Sequence, residues 1–158
     1  MKTAIRKGLG FGVTSGVITT LGLMIGLTYS TQLKIAVIGG VITIAIADAL
    51  SDALGVHISE ESEKQKSQKQ VWAATFSTAF YKFIIALTFI IPILLFNLTV
   101  AISVSIVWGA ILIGFVSVEI ANRRGLALWR VIGEHYFIAA LVIIVTYFLG
   151  KFVGRIFI

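Results

Sequence analysis

The sequence predicts an all-α integral membrane protein of five transmembrane helices, with its N-terminus in the cytoplasm and its C-terminus outside. Three observations predict it. Of 158 residues, 58% are hydrophobic and only 13% charged, and the mean hydropathy is +1.03, which no water-soluble globule shows. Apolar runs long enough to cross a bilayer, about 20 residues each, occur five times. The 13 lysines and arginines lie mostly in the gaps between those runs rather than on one face, as topology signals do and as a nucleic-acid surface does not.

The first run covers 8–29. Lys2, Arg6 and Lys7 precede it as they would precede a signal peptide, but it is long and has no clear small-residue cleavage site, so it reads as a retained span. The second run covers 35–58. The third, 71–96, carries Pro92 near its far end, where a proline is tolerated and bends the helix. The fourth and fifth cover 99–121 and 135–157. The breaks at 29–34, 60–70, 97–99 and 122–134 are too short for a folded domain. The chain therefore reads as a single transmembrane domain, 1–158, with a short cytoplasmic linker at 60–70.

Direction follows from the cations. A cytoplasmic N-terminus puts Lys2, Arg6, Lys7, Lys64, Lys66, Lys69, Arg123, Arg124 and Arg130 inside, and only Lys34, Lys151 and Arg155 outside. The remaining cation, Lys82, sits near the middle of the third span. The multi-pass chain is expected in the cell membrane.

Several function classes are excluded. Without cysteine there is no disulfide framework, thiolate metal site or redox dithiol. Nucleophile–base pairs, phosphate-binding loops and dinucleotide turns are also missing, so an enzyme has no residues to stand on.

All seven acids fall at or toward the inner side. Glu60, Glu61 and Glu63 form a solvated linker with nearby lysines, or gather cations electrostatically. Asp48 and Asp52 are different. Asp48 lies roughly 3 Å past the middle of the second span, and Asp52 about 6 Å further. An ionised aspartate at that depth costs at least about 2.5 kcal/mol, so the two require a cavity, a counter-charge or a bound cation. Their spacing of four puts them on one helix face with Ser51, Gly55 and Ser59. Two readings stay open: a fixed ion pair of Asp48 with Lys82, and an ion or proton path. Lys82 either neutralises a site and moves when a cation enters, or snorkels from a lipid-facing position.

In the first span Gly8, Gly12, Ser15, Thr19, Gly22 and Gly26 form a seam of small residues, and Gly12/Gly16, Gly22/Gly26 and Gly150/Gly154 repeat the Gly-x-x-x-Gly spacing of closely packed membrane helices. Spacing does not decide between a second copy and another helix of the same chain. Ser15 matches Asp48 in depth, so the seam could also line a cation path. His57 rotates away from the acidic face and reads as interfacial, His135 beside Glu134 reads as polarity at the start of the last helix, and Met24 as packing.

The stretches Gly12–Leu23 (GVTSGVITTLGL) and Ala45–Glu60 (AIADALSDALGVHISE) resemble the paired signatures of the vacuolar iron transporter family, a Gly-x-x-x-Gly, Thr-Thr-containing first span and a second span ending in Ser-x-x-x-Gly-x-x-x-Ser. The latter matches Ser51, Gly55 and Ser59. The stretch 130–154 is compatible too, so the resemblance covers nearly the whole chain. It implies five helices, a homodimer whose first spans meet, and export of Fe²⁺ or Mn²⁺ from the cytoplasm in exchange for protons. The sequence departs from the family in three places. The family's first-span aspartate falls at Ser15, its second-span methionine falls at Asp52, and its cytoplasmic metal-binding domain shrinks to 60–70.

The expectation is thus a homodimeric divalent-cation transporter meeting along Gly8, Gly12, Gly16, Gly22 and Gly26, with Asp48, Asp52, Ser51, Ser15 and Glu119 as metal ligands. Lys82 is its ion-pair or coupling residue. No permanent cofactor is expected. The cargo is Fe²⁺ or Mn²⁺, with Mg²⁺ as a third oxygen-preferring candidate, because an oxygen set without thiolate disfavours Cu(I) and Zn²⁺. The partners are the bilayer, metal ions and protons. A non-transporting assembly or regulatory protein of the same fold, and a passive cation channel, are the alternatives.

Overall fold

The computed structural model describes residues 1–157. Its helices, in chain order, are α1 (Lys2–Thr31), α2 (Lys34–Glu61), α3 (Gln68–Thr88), α4 (Ile90–Leu95), α5 (Leu98–Arg124) and α6 (Leu128–Phe157). With α3 and α4 counted together, five segments are long and apolar enough to cross a membrane.

Each boundary has a local cause. α1 ends at Gln32, which takes the left-handed conformation (φ 54°) so that its N–H reaches the Thr28 carbonyl at 3.1 Å. Gln70 Oε1 accepts the Ser67 backbone N–H at 3.0 Å and opens α3. The break between α3 and α4 falls at Phe89, three residues before Pro92, whose ring would meet the Thr88 carbonyl one turn back. Asn97 caps α5 by accepting the Val100 N–H at 3.0 Å. Gly125, at φ 63°, ends α5 in the conformation glycine adopts without strain.

The helices overrun the hydropathy segments. α6 starts at Leu128 rather than 135, because Arg130, Gly133 and Glu134 interrupt the apolar run without interrupting backbone hydrogen bonding. The linker expected at 60–70 narrows to 62–67 for the same reason.

α1 is the hub, packing on α2, α3, α5 and α6. Val13, Val17, Leu21 and Met24 on α1 meet Val37 and Val41 of α2, Phe89, Ile93 of α4, and Ala101, Ile113 and Val116 of α5 in one apolar core. The outer surface is apolar as well, with Phe76, Phe80, Ile111, Phe115, Phe137 and Phe148 exposed. An apolar perimeter of this extent suits lipid and not water.

The glycine seam is used inside the chain, which corrects the expectation that Gly8, Gly12, Gly16, Gly22 and Gly26 meet a second copy. A Cβ on Gly8 would lie 2.8 Å from the Ala74 carbonyl oxygen, one on Gly12 2.8 Å from that of Thr78, and one on Gly16 3.3 Å from that of Lys82, so this stretch rests directly on the α3 backbone. The other end rests on α6. A Cβ on Gly22 would lie 3.0 Å from Val142, and one on Gly150 2.6 Å from the Gly26 carbonyl oxygen. Absent side chains let the backbones approach, as in other small-residue membrane helix pairs.

Candidate cation site

The close approach of α1 to α3 determines where Lys82 goes. With Gly12 and Gly16 offering no side chains, the α3 backbone at Lys82 lies against α1, and the lysine side chain enters the space between α1, α2 and α3. Lys82 is 1% exposed, one of the largest fully buried side chains among the described residues. An ammonium so placed requires acceptors.

Three side chains supply them. The Nζ lies 2.6 Å from Asp48 Oδ2, pairs with Asp52 Oδ2, and donates to Ser15 Oγ at 2.9 Å. The Asp48 contact is an ion pair without hydrogen-bond geometry. Ser15 spends its one proton on Asp52 Oδ2, 2.6 Å away, so its oxygen is free to accept from Lys82. Asp48 and Asp52, one turn apart on α2, thus flank a single ammonium, and with all three ionised the cluster carries one net negative charge.

The cluster is reached through a cavity of about 780 Å³ over α1, between α2 on one side and α5 and α6 on the other. Asp52 lines it, with Thr14, Ser51, Ser59, Arg6 and His135. It extends from Asp52 toward the end of the bundle where α1 begins. Ser51 is exposed along this path, while Asp48 is not among the lining residues.

Other expected residues lie elsewhere. Glu119 pairs with Arg123 one turn along α5, lines no part of this cavity and does not join the Lys82 cluster. Glu60 is not a solvated cation collector. It is fully buried, ion-paired with Lys7 of α1 and 3.3 Å from Lys66, because its position on α2 faces the start of α1. Glu63 stands 3.7 Å from Lys7 and 3.5 Å from Lys66. Hydrogen bonding to Glu60, with the charges of Glu60 and Glu63, holds the Lys66 ammonium above the ordinary lysine value. Glu61 keeps an exposed carboxylate, 3.8 Å from His57.

The two histidines have partners that sequence spacing did not reveal. His57 Nδ1 lies 3.0 Å from Thr75 Oγ1, with its ring edge-on to Trp72. His135 is well inside α6, not at its start, and its Nδ1 lies 2.8 Å from Ser117 Oγ on α5. The only hint available was the Gly125 stop signal, which leaves room for α6 to begin early.

Among the described residues, no three His, Cys, Asp or Glu side chains converge. The Lys82 site is therefore two carboxylates and a hydroxyl around one ammonium. No protein-family model matches the chain, and no curated protein and no solved structure is found to be similar to it.

Proposed function

We propose that this chain is a membrane transporter of divalent cations, Fe²⁺ or Mn²⁺, which it exports from the cytoplasm in exchange for protons. The observation that carries the reading is the Lys82 ammonium held between Asp48, Asp52 and Ser15. A tethered ammonium is a cation, and the oxygens that satisfy it are the kind that ligate hard and borderline metal ions. The cavity gives such an ion a route to Asp52 from the end bearing Arg6 and Ser59, the cytoplasmic end on the charge distribution.

Charge arithmetic gives the exchange its logic. Two carboxylates and one ammonium sum to minus one. Adding a divalent ion would make plus one in a low-dielectric interior, which is unfavourable, while adding it with loss of the Lys82 proton gives zero. The metal and the protonated Lys82 ammonium therefore compete for one pair of aspartates, and alternation of the two occupied states moves metal and proton in opposite directions. Ser51, beside Asp52 on the exposed path, joins the ligand set during entry.

The same geometry favours one other reading. Lys82 already satisfies both aspartates, so the cluster serves equally as a permanent staple of α1, α2 and α3 in a protein that transports nothing. Flux of Mn²⁺ into proteoliposomes, wild type beside Asp48→Asn/Asp52→Asn, separates the two. The transporter reading expects flux that the double variant abolishes; no flux from folded wild-type protein supports the staple.

A further inference from the structure

His57 and Glu61 stand one turn apart at the end of α2, in contact with α3 through Thr75 and Gln68. Thr75 fixes the imidazole. Its hydroxyl lies 2.9 Å from the Val71 carbonyl oxygen, one turn back on α3, and 3.0 Å from His57 Nδ1. A hydroxyl has one proton and a carbonyl oxygen can only accept, so Thr75 donates to Val71 and accepts from His57. Nδ1 therefore carries the hydrogen, and Nε2 of the neutral ring carries a lone pair. Trp72 packs edge-on against the same ring, 4.7 Å between centroids.

That lone pair faces a carboxylate. Nε2 lies 3.8 Å from Glu61 Oε2. Two acceptors so placed require a cation between them, and the gap is wider than the roughly 2.7–3.2 Å of a hydrogen bond. A metal ion about 2.1 Å from each atom spans it, with the exposed Glu61 side chain adjusting to the bond angle. The carboxylate is otherwise lightly held. Its Oε1 accepts from Gln68 Nε2 at 3.4 Å, and among the described residues no lysine or arginine pairs with it, Lys7 and Lys66 being engaged by Glu60 and Glu63. α2 also ends here with no basic residue in its last turn, so the negative end of the helix adds to the attraction for a cation.

We infer that His57 Nε2 and Glu61 Oε2 are the protein ligands of a divalent transition-metal site at the junction of α2 and α3. The two side chains are 18% and 54% exposed, which admits water to the remaining positions of the ion. Imidazole with carboxylate favours Fe²⁺, Co²⁺, Ni²⁺ or Zn²⁺ over Mg²⁺ and Ca²⁺. Thr75 is the positioning residue, holding Nδ1–H as oxygen partners behind metal-bound histidines do. Neither ligand lines the cavity that leads to Asp52, so the site is separate from the transport reading.

The test is titration of Co²⁺ into tag-free protein in detergent, followed by calorimetry and by proton NMR, in which a Co²⁺-bound imidazole shows a hyperfine-shifted, exchangeable N–H. The wild type is expected to bind Co²⁺ with one such signal, lost in His57→Gln and kept in His135→Gln and in Asp48→Asn/Asp52→Asn. Glu61→Gln and Thr75→Val are each expected to weaken binding about tenfold or more; Glu61 is exposed, so its variant carries the test should His57→Gln fail to fold. Wild-type protein without the signal, a signal that survives His57→Gln, or an affinity unchanged in Glu61→Gln overturns the inference and leaves the transport reading standing.

Discussion

Lys82 of α3 and Asp48 of α2 are joined by a 2.6 Å ion pair in which the lysine is 1% exposed. The pair ties together two helices that the sequence separates by a charged linker, and Ser15 extends the tie to α1.

Removing only the ammonium is expected to be worse than removing the whole cluster. Lys82→Met leaves two aspartates facing each other without a counter-charge, a loss of about 3–5 kcal/mol. The triple variant Lys82→Met/Asp48→Asn/Asp52→Asn recovers most of it. Thermal unfolding in detergent measures both, and equal midpoints for the two variants would show that Lys82 does not neutralise the pair.

Gly12→Ala is expected to destabilise the bundle by about 1–3 kcal/mol, an overpacking effect, since the new methyl would lie 2.8 Å from the Thr78 carbonyl oxygen. Gly39→Ala and Gly55→Ala meet nothing within 4 Å. They should leave stability unchanged or raise it by up to about 1 kcal/mol, since alanine is the better helix former. Light scattering alongside the melt checks the assignment of the seam, because a subunit contact would show as a loss of mass rather than a lowered midpoint.

Lys66 gives a pH dependence with a defined sign. Its proton is held more tightly in the folded chain than in the unfolded one, so its stabilising effect is complete below the ordinary lysine value of 10.5 and is lost as pH rises through the higher folded value. Between roughly pH 10 and 12 the melting midpoint of Lys66→Met should fall less steeply than that of the wild type. Parallel curves would mean that Glu60 and Glu63 do not hold this ammonium.

Ser15→Asp places a third carboxylate beside Asp52, the residue that the vacuolar iron transporter resemblance puts at this position. Added ligand charge is expected to tighten Mn²⁺ binding by about tenfold or more. Titration calorimetry on purified protein reads it directly, and unchanged affinity would place the cation away from Ser15.

Much of the fold is legible in the sequence because membrane spans are written in single-residue hydropathy. The start of α6 is not, since hydropathy falls at Arg130, Gly133 and Glu134 although the helix continues through them. Asp48 and Asp52 stand out because acids at apolar depth require an explanation, and Lys82 stands out as a cation near the middle of a span. That Lys82 reaches both aspartates and Ser15 depends on how closely α1 and α3 approach. The glycines of α1 announce close packing but carry no record of the partner, so the sequence alone does not place α3 and α6 against them. Glu119, by contrast, looked equivalent to the other acids and is taken up by Arg123 on its own helix. The contact between His135 and Ser117 joins two helices, and nothing in the local pattern of either announces it.

The central claim, that a metal ion displaces the protonated Lys82 ammonium from the oxygens around it, is tested most directly by recording Mn²⁺ entry and internal pH together in proteoliposomes. Wild-type protein is expected to move Mn²⁺ one way and protons the other, with Asp48→Asn/Asp52→Asn doing neither. Mn²⁺ entry with no proton movement would contradict the exchange and leave a passive pathway. If folded wild-type protein moved no Mn²⁺, the Lys82 cluster would be a structural staple.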